Sequence, residues 1–213
     1  MLTLGDPLPS GWHEVRGESG RSALMWTLSS LRPRGRTTVL VQLGQPYDYL
    51  GVCHWCGIPP ESVAVIDTPR DALSVAVELC RSGTVGQVIF EGLGFLLGSG
   101  HWTPEVEAQL GEVTEFFELD ALAQEHDIAL YAAGQDAGTI PGMGPRMAGK
   151  TRPMGGRLLA ELSAERRLLL TRSCFLARHG QRIGEKFEVR NLLTGEVSGF
   201  RFRYIEGPER PRD

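Results

Sequence analysis

Three groups of residues in this 213-residue sequence have types and spacings that can do chemistry. The first is Gly17-Glu18-Ser19-Gly20-Arg21-Ser22, a glycine-bearing turn between an apolar run and a helical pattern. A helix that opens at such a turn presents unpaired backbone N–H groups and the positive end of its dipole to any anion. The same turn is also an ordinary strand-to-helix connection, so by itself it implies anion attraction and no more. The second group is Cys53-His54-Trp55-Cys56, with the spacing of a redox dithiol or of half a zinc site. Cys80, Cys174 and the scattered histidines supply no second close pair, and cysteines three apart on a helix share one face and pack together. Cys53 and Cys56 are therefore expected to be core thiols, and no metal is expected. The third group is basic: Arg146, Lys150, Arg152 and Arg157 lie in or beside a stretch rich in glycine, proline and methionine, residues 134–156. Spaced cations of this kind can neutralise successive phosphates of a single strand, and Trp102 beside His101 can either stack on a base or pack against its own loop.

Positioning such groups requires a scaffold, and the hydrophobic pattern supplies one. A short strand is expected from Trp12 to Arg16, followed by a helix from Ser22 to Leu31 stopped by Pro33 and Gly35. Thr37 to Leu43, Ser62 to Ile66, Gln87 to Phe90 and Ile128 to Ala132 are short aliphatic runs of the kind that form strands covered on both faces. Tyr49 to Trp55 and Pro69 to Ser82 read as helices, the latter with Ala72, Val75, Ala76, Leu79 and Cys80 on one stripe. Glu105 to His126 reads as one long helix with an acidic face, which is expected to be solvated. Arg157 to Leu162 gives a short helix and Leu168 to Ser173 a strand. Phe187 to Asn191 and Ser198 to Tyr204 give a closing antiparallel pair turned at Thr194-Gly195. Strands alternating with helices in this order predict an α/β fold with a mostly parallel twisted sheet flanked by helices and ending in an antiparallel hairpin. A single domain is expected over residues 1–207, with 208–213 as a flexible tail.

Composition narrows the function classes. A formal charge of -4 argues against a protein that coats DNA through bulk positive charge, so any nucleic-acid site must be local. No apolar run reaches bilayer length, and the opening residues lack the order of a signal peptide. A cytoplasmic protein with free thiols and no membrane partner is expected.

The order of elements resembles the RecA/RadA recombinase core over roughly Gly11 to Gly207. The run from Gly57-Ile58-Pro59-Pro60-Glu61 through Ala72-Leu73 to Cys80-Arg81-Ser82-Gly83 is similar to the family's helix before the Walker B strand. Gly155-Gly156 and Glu188-Val189-Arg190-Asn191 leading to Phe200-Arg201-Phe202 are similar in turn. The resemblance implies a RecA-like nucleotide site at Gly17, Glu18, Ser19, Gly20, Arg21 and Ser22. It implies Glu91 at the end of the Walker B strand in place of the usual aspartate, Asp48 near the nucleotide base, and Gln135 as the sensor of the terminal phosphate. It also implies DNA loops carrying Trp102 and the basic residues Arg146, Lys150, Arg152 and Arg157.

The departures from the family pattern weigh more. A phosphate loop GxxxxGK[ST] wraps the phosphates in backbone N–H groups while its lysine reaches the terminal one. Here, matching Gly20-Arg21-Ser22 to GK[ST] leaves Val15 in place of the first glycine, and matching Gly17 to that glycine leaves the loop two residues short. Arg21 is forked and bulky where a compact point charge is needed. The water-activating glutamate falls at about Gly44, where no carboxylate exists. The expectation is a RecA-like pseudo-ATPase without catalytic residues, with ATP and magnesium disfavoured. It would act as an accessory factor in DNA repair, recombination or damage-induced mutagenesis, similar to the ImuA/SulA-like accessory proteins. A recombinase or a DNA polymerase subunit is the expected partner, with single-stranded DNA as a further one. The chain begins almost directly at the first core strand, so self-assembly into a filament is not expected, and capping or joining another protein's filament stays open. Two alternatives stay open: an active DNA-dependent ATPase with an atypical loop, and a zinc- or thiol-dependent protein using Cys53 and Cys56.

Overall fold

A computed structural model describes residues 10–17, 36–43, 53, 59–67, 70–93, 104–135 and 166–203. The aliphatic runs form strands β1 (Gly11–Gly17), β2 (Thr37–Gln42), β3 (Val63–Ile66), β4 (Val85–Glu91) and β5 (Ala129–Gln135). The chain then continues into β6 (Arg166–Arg178), β7 (Gln181–Asn191) and β8 (Val197–Arg203). All join one eight-stranded sheet in the order β3-β2-β4-β5-β1-β6-β7-β8. Every pairing from β3 to β6 is parallel, and β6, β7 and β8 pair antiparallel. The described helices are α1 (Ala72–Arg81), α2 (Pro104–Leu110) and α3 (Val113–His126). The chain is thus α/β with a mostly parallel sheet, as its pattern predicts.

Because side chains alternate across a strand, Trp12, Val39, Val41, Val88, Phe90, Leu130 and Ala132 share one face. They form a single core with Leu73, Ala76, Val77 and Cys80 of α1 and Phe116, Leu119 and Ala123 of α3. Trp12 is its centre, stacked on Phe116 at 4.5 Å between ring centroids and tilted against Phe90 at 5.3 Å. Val15, Leu40, Ile89, Tyr131 and Ala133 on the opposite face are equally buried, which explains why these strands read as continuous apolar runs. The α1 stripe differs from the expected one: Leu73 and Val77 are buried, and Val75 points outward. Arg81 of α1 bridges Glu78 on its own helix and Glu118 on α3, while Ser74 bonds Glu115.

Two further expectations are corrected. The single helix Glu105 to His126 is two helices, α2 and α3, separated at Gly111, whose φ of +113° lies in the region that favours glycine. Glu112 then serves as N-cap, and Glu112 and Glu115 form a reciprocal capping box, with the Glu112 N–H donating to Glu115 Oε2 at 3.1 Å. A Cβ at position 111 would collide with that same Glu115 oxygen. Gly111→Ala is therefore expected to cost about 2 kcal/mol, from the strained φ and the lost cap together. Urea denaturation checks this, and a loss under about 0.5 kcal/mol, the scatter of ordinary surface changes, would remove the glycine argument.

The C-terminal part is the second correction, because its antiparallel region holds three strands where a single closing hairpin is expected. β6 runs on to Arg178 and turns into β7 through His179 and Gly180, which take φ values of +50° and +79°. Two positive φ values in a two-residue loop are what a type I′ hairpin demands. The turn at Thr194-Gly195 lies where the sequence predicts it, with Gly195 N–H donating to the Asn191 carbonyl at 2.8 Å.

Candidate functional site

The parallel strands end together, and their carboxyl ends form the edge at which open α/β sheets bind ligands. Leaving β2, the chain continues outward to β3; leaving β4, it continues inward to β5. The neighbours β2 and β4 therefore form a topological switch point, where diverging connections open a crevice. Their last residues, Gln42 and Glu91, are register partners. Both are deeply buried, at 7% and 4% exposure. The main chain holds this end rigid: Leu43 N–H donates to the Glu91 carbonyl at 3.0 Å, and Gly92 N–H donates to the Ala133 carbonyl at 2.9 Å. Gly92, with φ of +86°, lets β4 turn directly after the carboxylate.

Gln42 is chemically conspicuous because its Nε2 is buried without a hydrogen-bond partner. A buried donor left unpaired costs about 1–3 kcal/mol, so it calls for a reason beyond packing. By contrast, Gln87 and Thr38, one strand end away on the same face, satisfy each other at 2.9 Å. Pattern reading passes over Gln42 because it sits at the end of an aliphatic run, where attention falls on the next residues, Leu43 and Gly44. The available signal is a polar residue on the same strand face as buried Thr38 and Leu40.

Of the expected nucleotide-site residues, the structure places Gly17 at the end of β1, paired with Gln135 at the end of β5. Glu91 is in register with Ala133 on β5, and Ala133 with Val15 on β1. Two strand spacings, about 10 Å, therefore separate Glu91 from β1. Gly17, Glu91 and Gln135 thus share the carboxyl edge. Glu18, Ser19, Gly20, Arg21, Ser22 and Asp48 lie outside the described residues, as do Trp102, Arg146, Lys150, Arg152, Arg157 and Gly44.

Just before the edge, β1 carries an ion pair that pattern reading also misses. Arg16 Nε lies 3.3 Å from Glu14 Oε1, with Glu14 fully buried. On the other side of β1, His13 meets Tyr131 at 5.4 Å between ring centroids. Cys53 is buried, and Cys56 lies outside the described residues. Burial pushes the Cys80 thiol up to about 11, which keeps it protonated and inert at neutral pH. Among the described residues no cluster of His, Cys, Asp and Glu has metal-ligand geometry, and no helix is long and apolar enough to cross a membrane. No model of a known protein family matches the sequence, and no curated protein matches it.

Proposed function

We propose that this chain is a RecA-type core whose nucleotide site has decayed. In this reading it works as an accessory factor in DNA repair, recombination or damage-induced mutagenesis, by contacting a recombinase or polymerase subunit and single-stranded DNA. The observation that carries the reading is the pairing of Gln42 with Glu91 at the switch point. Hydrolysis of a phosphoanhydride at such an edge calls for a carboxylate that orients and deprotonates water beside the one that holds the metal. The partner set against Glu91 on β2 is a neutral amide, which accepts no proton. The sequence that follows β1, with Arg21 in the lysine's place, supports the same conclusion.

In a colorimetric phosphate-release assay with ATP, magnesium and single-stranded DNA, turnover is expected to stay at the level of a protein-free blank. Turnover above that level that disappears in Arg21→Ala would overturn the reading and favour an active DNA-dependent ATPase.

A further inference from the structure

We propose that the open face of the β6–β8 wing is a surface for the phosphate backbone of single-stranded DNA, centred on the facing pair Lys186 and Arg201. The proposal rests on the reading of the chain as a DNA-binding factor, and it assigns that binding to a surface other than the loop carrying Arg146, Lys150 and Arg152. Register fixes which residues share the face. Arg16 pairs with Leu169, Leu169 with Arg190, and Arg190 with Val197, a line straight across the sheet from the ion pair of β1. Four residues further along β7 and β8, beyond the Glu188–Gly199 pair, Lys186 pairs with Arg201 on the same side. Arg203, paired with Gly184, occupies a register position of the same parity, while the carboxylate on this face of β7 is Glu188.

The two sides of the wing differ sharply. Leu168, Leu170, Phe187 and Val189 on its reverse side are buried and anchor it. On the open side Arg190 has a side-chain exposure of 54%, Val197 is 52% exposed, and Arg201 is exposed. The described helices pack instead on β1, β4 and β5.

Like charges directly opposite on antiparallel strands repel, and such a pair normally weakens a sheet. Lys186 and Arg201 nevertheless face one another, and among the described residues neither has an ion-pair partner. A polyanion lying over the pair removes the repulsion and turns the juxtaposition into an attraction for both. Arg190 is engaged by Glu188 at 2.9 Å, but exposed pairs of this kind are weak and a phosphate competes with them readily. In a chain of net charge -4, gathering cations on one rigid sheet face is the local footprint that nucleic-acid contact requires.

The test is fluorescence anisotropy of a labelled oligothymidylate of about thirty nucleotides, titrated with the full chain at several salt concentrations. Lys186→Ala combined with Arg201→Ala is expected to weaken binding about tenfold near 0.1 M salt and to flatten the salt slope by about 1.4, two contacts at about 0.7 each. Glu188→Gln is expected to tighten binding about threefold by removing the carboxylate from the surface. Arg201 is exposed and Lys186 and Glu188 are partly exposed, and unchanged thermal melting will show that the variants fold. Wild-type affinity and slope in the double variant would overturn the proposal. So would loss of binding on replacing Arg146, Lys150 and Arg152 with alanine while the wing variant binds normally, an outcome that leaves the DNA-binding reading standing. Absence of oligothymidylate binding by the wild-type chain would remove both, and capture of a polyglutamate peptide in its place would identify an acidic protein as the occupant.

Discussion

Trp12→Ala is expected to lower the unfolding free energy by about 3–5 kcal/mol, the range for truncating a fully buried aromatic. The indole is 1% exposed and lies at the only point where β4, β1 and α3 all contribute rings to the described core, through Phe90 and Phe116. Removing it deletes the stacked contact at 4.5 Å and leaves a cavity beneath α3 that Phe116 cannot fill without lifting the helix. For a chain of this size, the loss should lower the melting temperature by on the order of 10 °C. Val197→Ala, at a position 52% exposed, serves as the control and should change stability by no more than about 0.5 kcal/mol. A Trp12→Ala loss below about 1 kcal/mol would mean that the sheet and α3 are not held together through this ring.

The same residue shows what pattern could and could not give. The strands around Trp12 were legible because parallel strands buried on both faces must be nearly continuous aliphatic runs, and Thr37–Gln42 and Val85–Glu91 are such runs. Their order in the sheet was not legible. Each parallel connection is long enough to cross over other strands, so nothing in the text of β1 says that β5 and β6 flank it. The break at Gly111 was hidden because its N-cap is a glutamate, which in sequence merges with the acidic helix on either side instead of marking a start as serine or aspartate does. The strands expected at Leu168 to Ser173 and Phe187 to Asn191 lie in β6 and β7, but the extension of the two into one ribbon is not legible, for a different reason. Beyond Leu170 many of its residues are exposed, the short apolar run Cys174 to Ala177 is set apart by Thr171-Arg172-Ser173, and its turn uses His179 where asparagine is the usual signal. The basic face of the wing is not legible either, since Lys186 lies one residue before the expected strand start at Phe187 and its pairing with Arg201 shows only in the longer β7.

The candidate edge divides in the same way. Glu91 is singled out by the resemblance, as the last residue of the strand before the expected loop, and the fold puts it at a strand end. Gly17 and Gln135 are distant in sequence, yet they are paired because β1 and β5 run in parallel register. What sequence could not supply was the neighbour of Glu91. That neighbour depends on strand order, and it is Gln42.

That pairing leads to the second large effect. Gln42→Glu is expected to destabilise the protein by about 3–4 kcal/mol at pH 8, because a second carboxyl in this buried site should have its pKa raised by about 2–3 units, at about 1.4 kcal/mol per unit. The substitution keeps size and shape, so the cost comes from burying a charge beside Glu91 and not from packing. The sign with pH follows directly. A carboxyl whose folded-state pKa lies above its unfolded value near 4.3 holds its proton more tightly when folded. The penalty is therefore absent below about pH 4, grows as pH rises between the unfolded and folded values, and is complete above the folded one. Urea midpoints of variant and parent should converge at acid pH and separate toward pH 8. Gln42→Leu supplies the converse test: if the amide donor is idle, removing it should leave stability unchanged or raise it by about 1 kcal/mol. If Gln42→Glu costs nothing at any pH, the site is either wet or holds a cation that welcomes the new charge. In the second case the edge retains the electrostatics of a working nucleotide site, and the pseudo-ATPase reading falls with it. A penalty that grows with pH places Glu91 beside an amide that cannot be replaced by an ionised base without disrupting the fold, which is the electrostatic state expected of an edge that has given up hydrolysis.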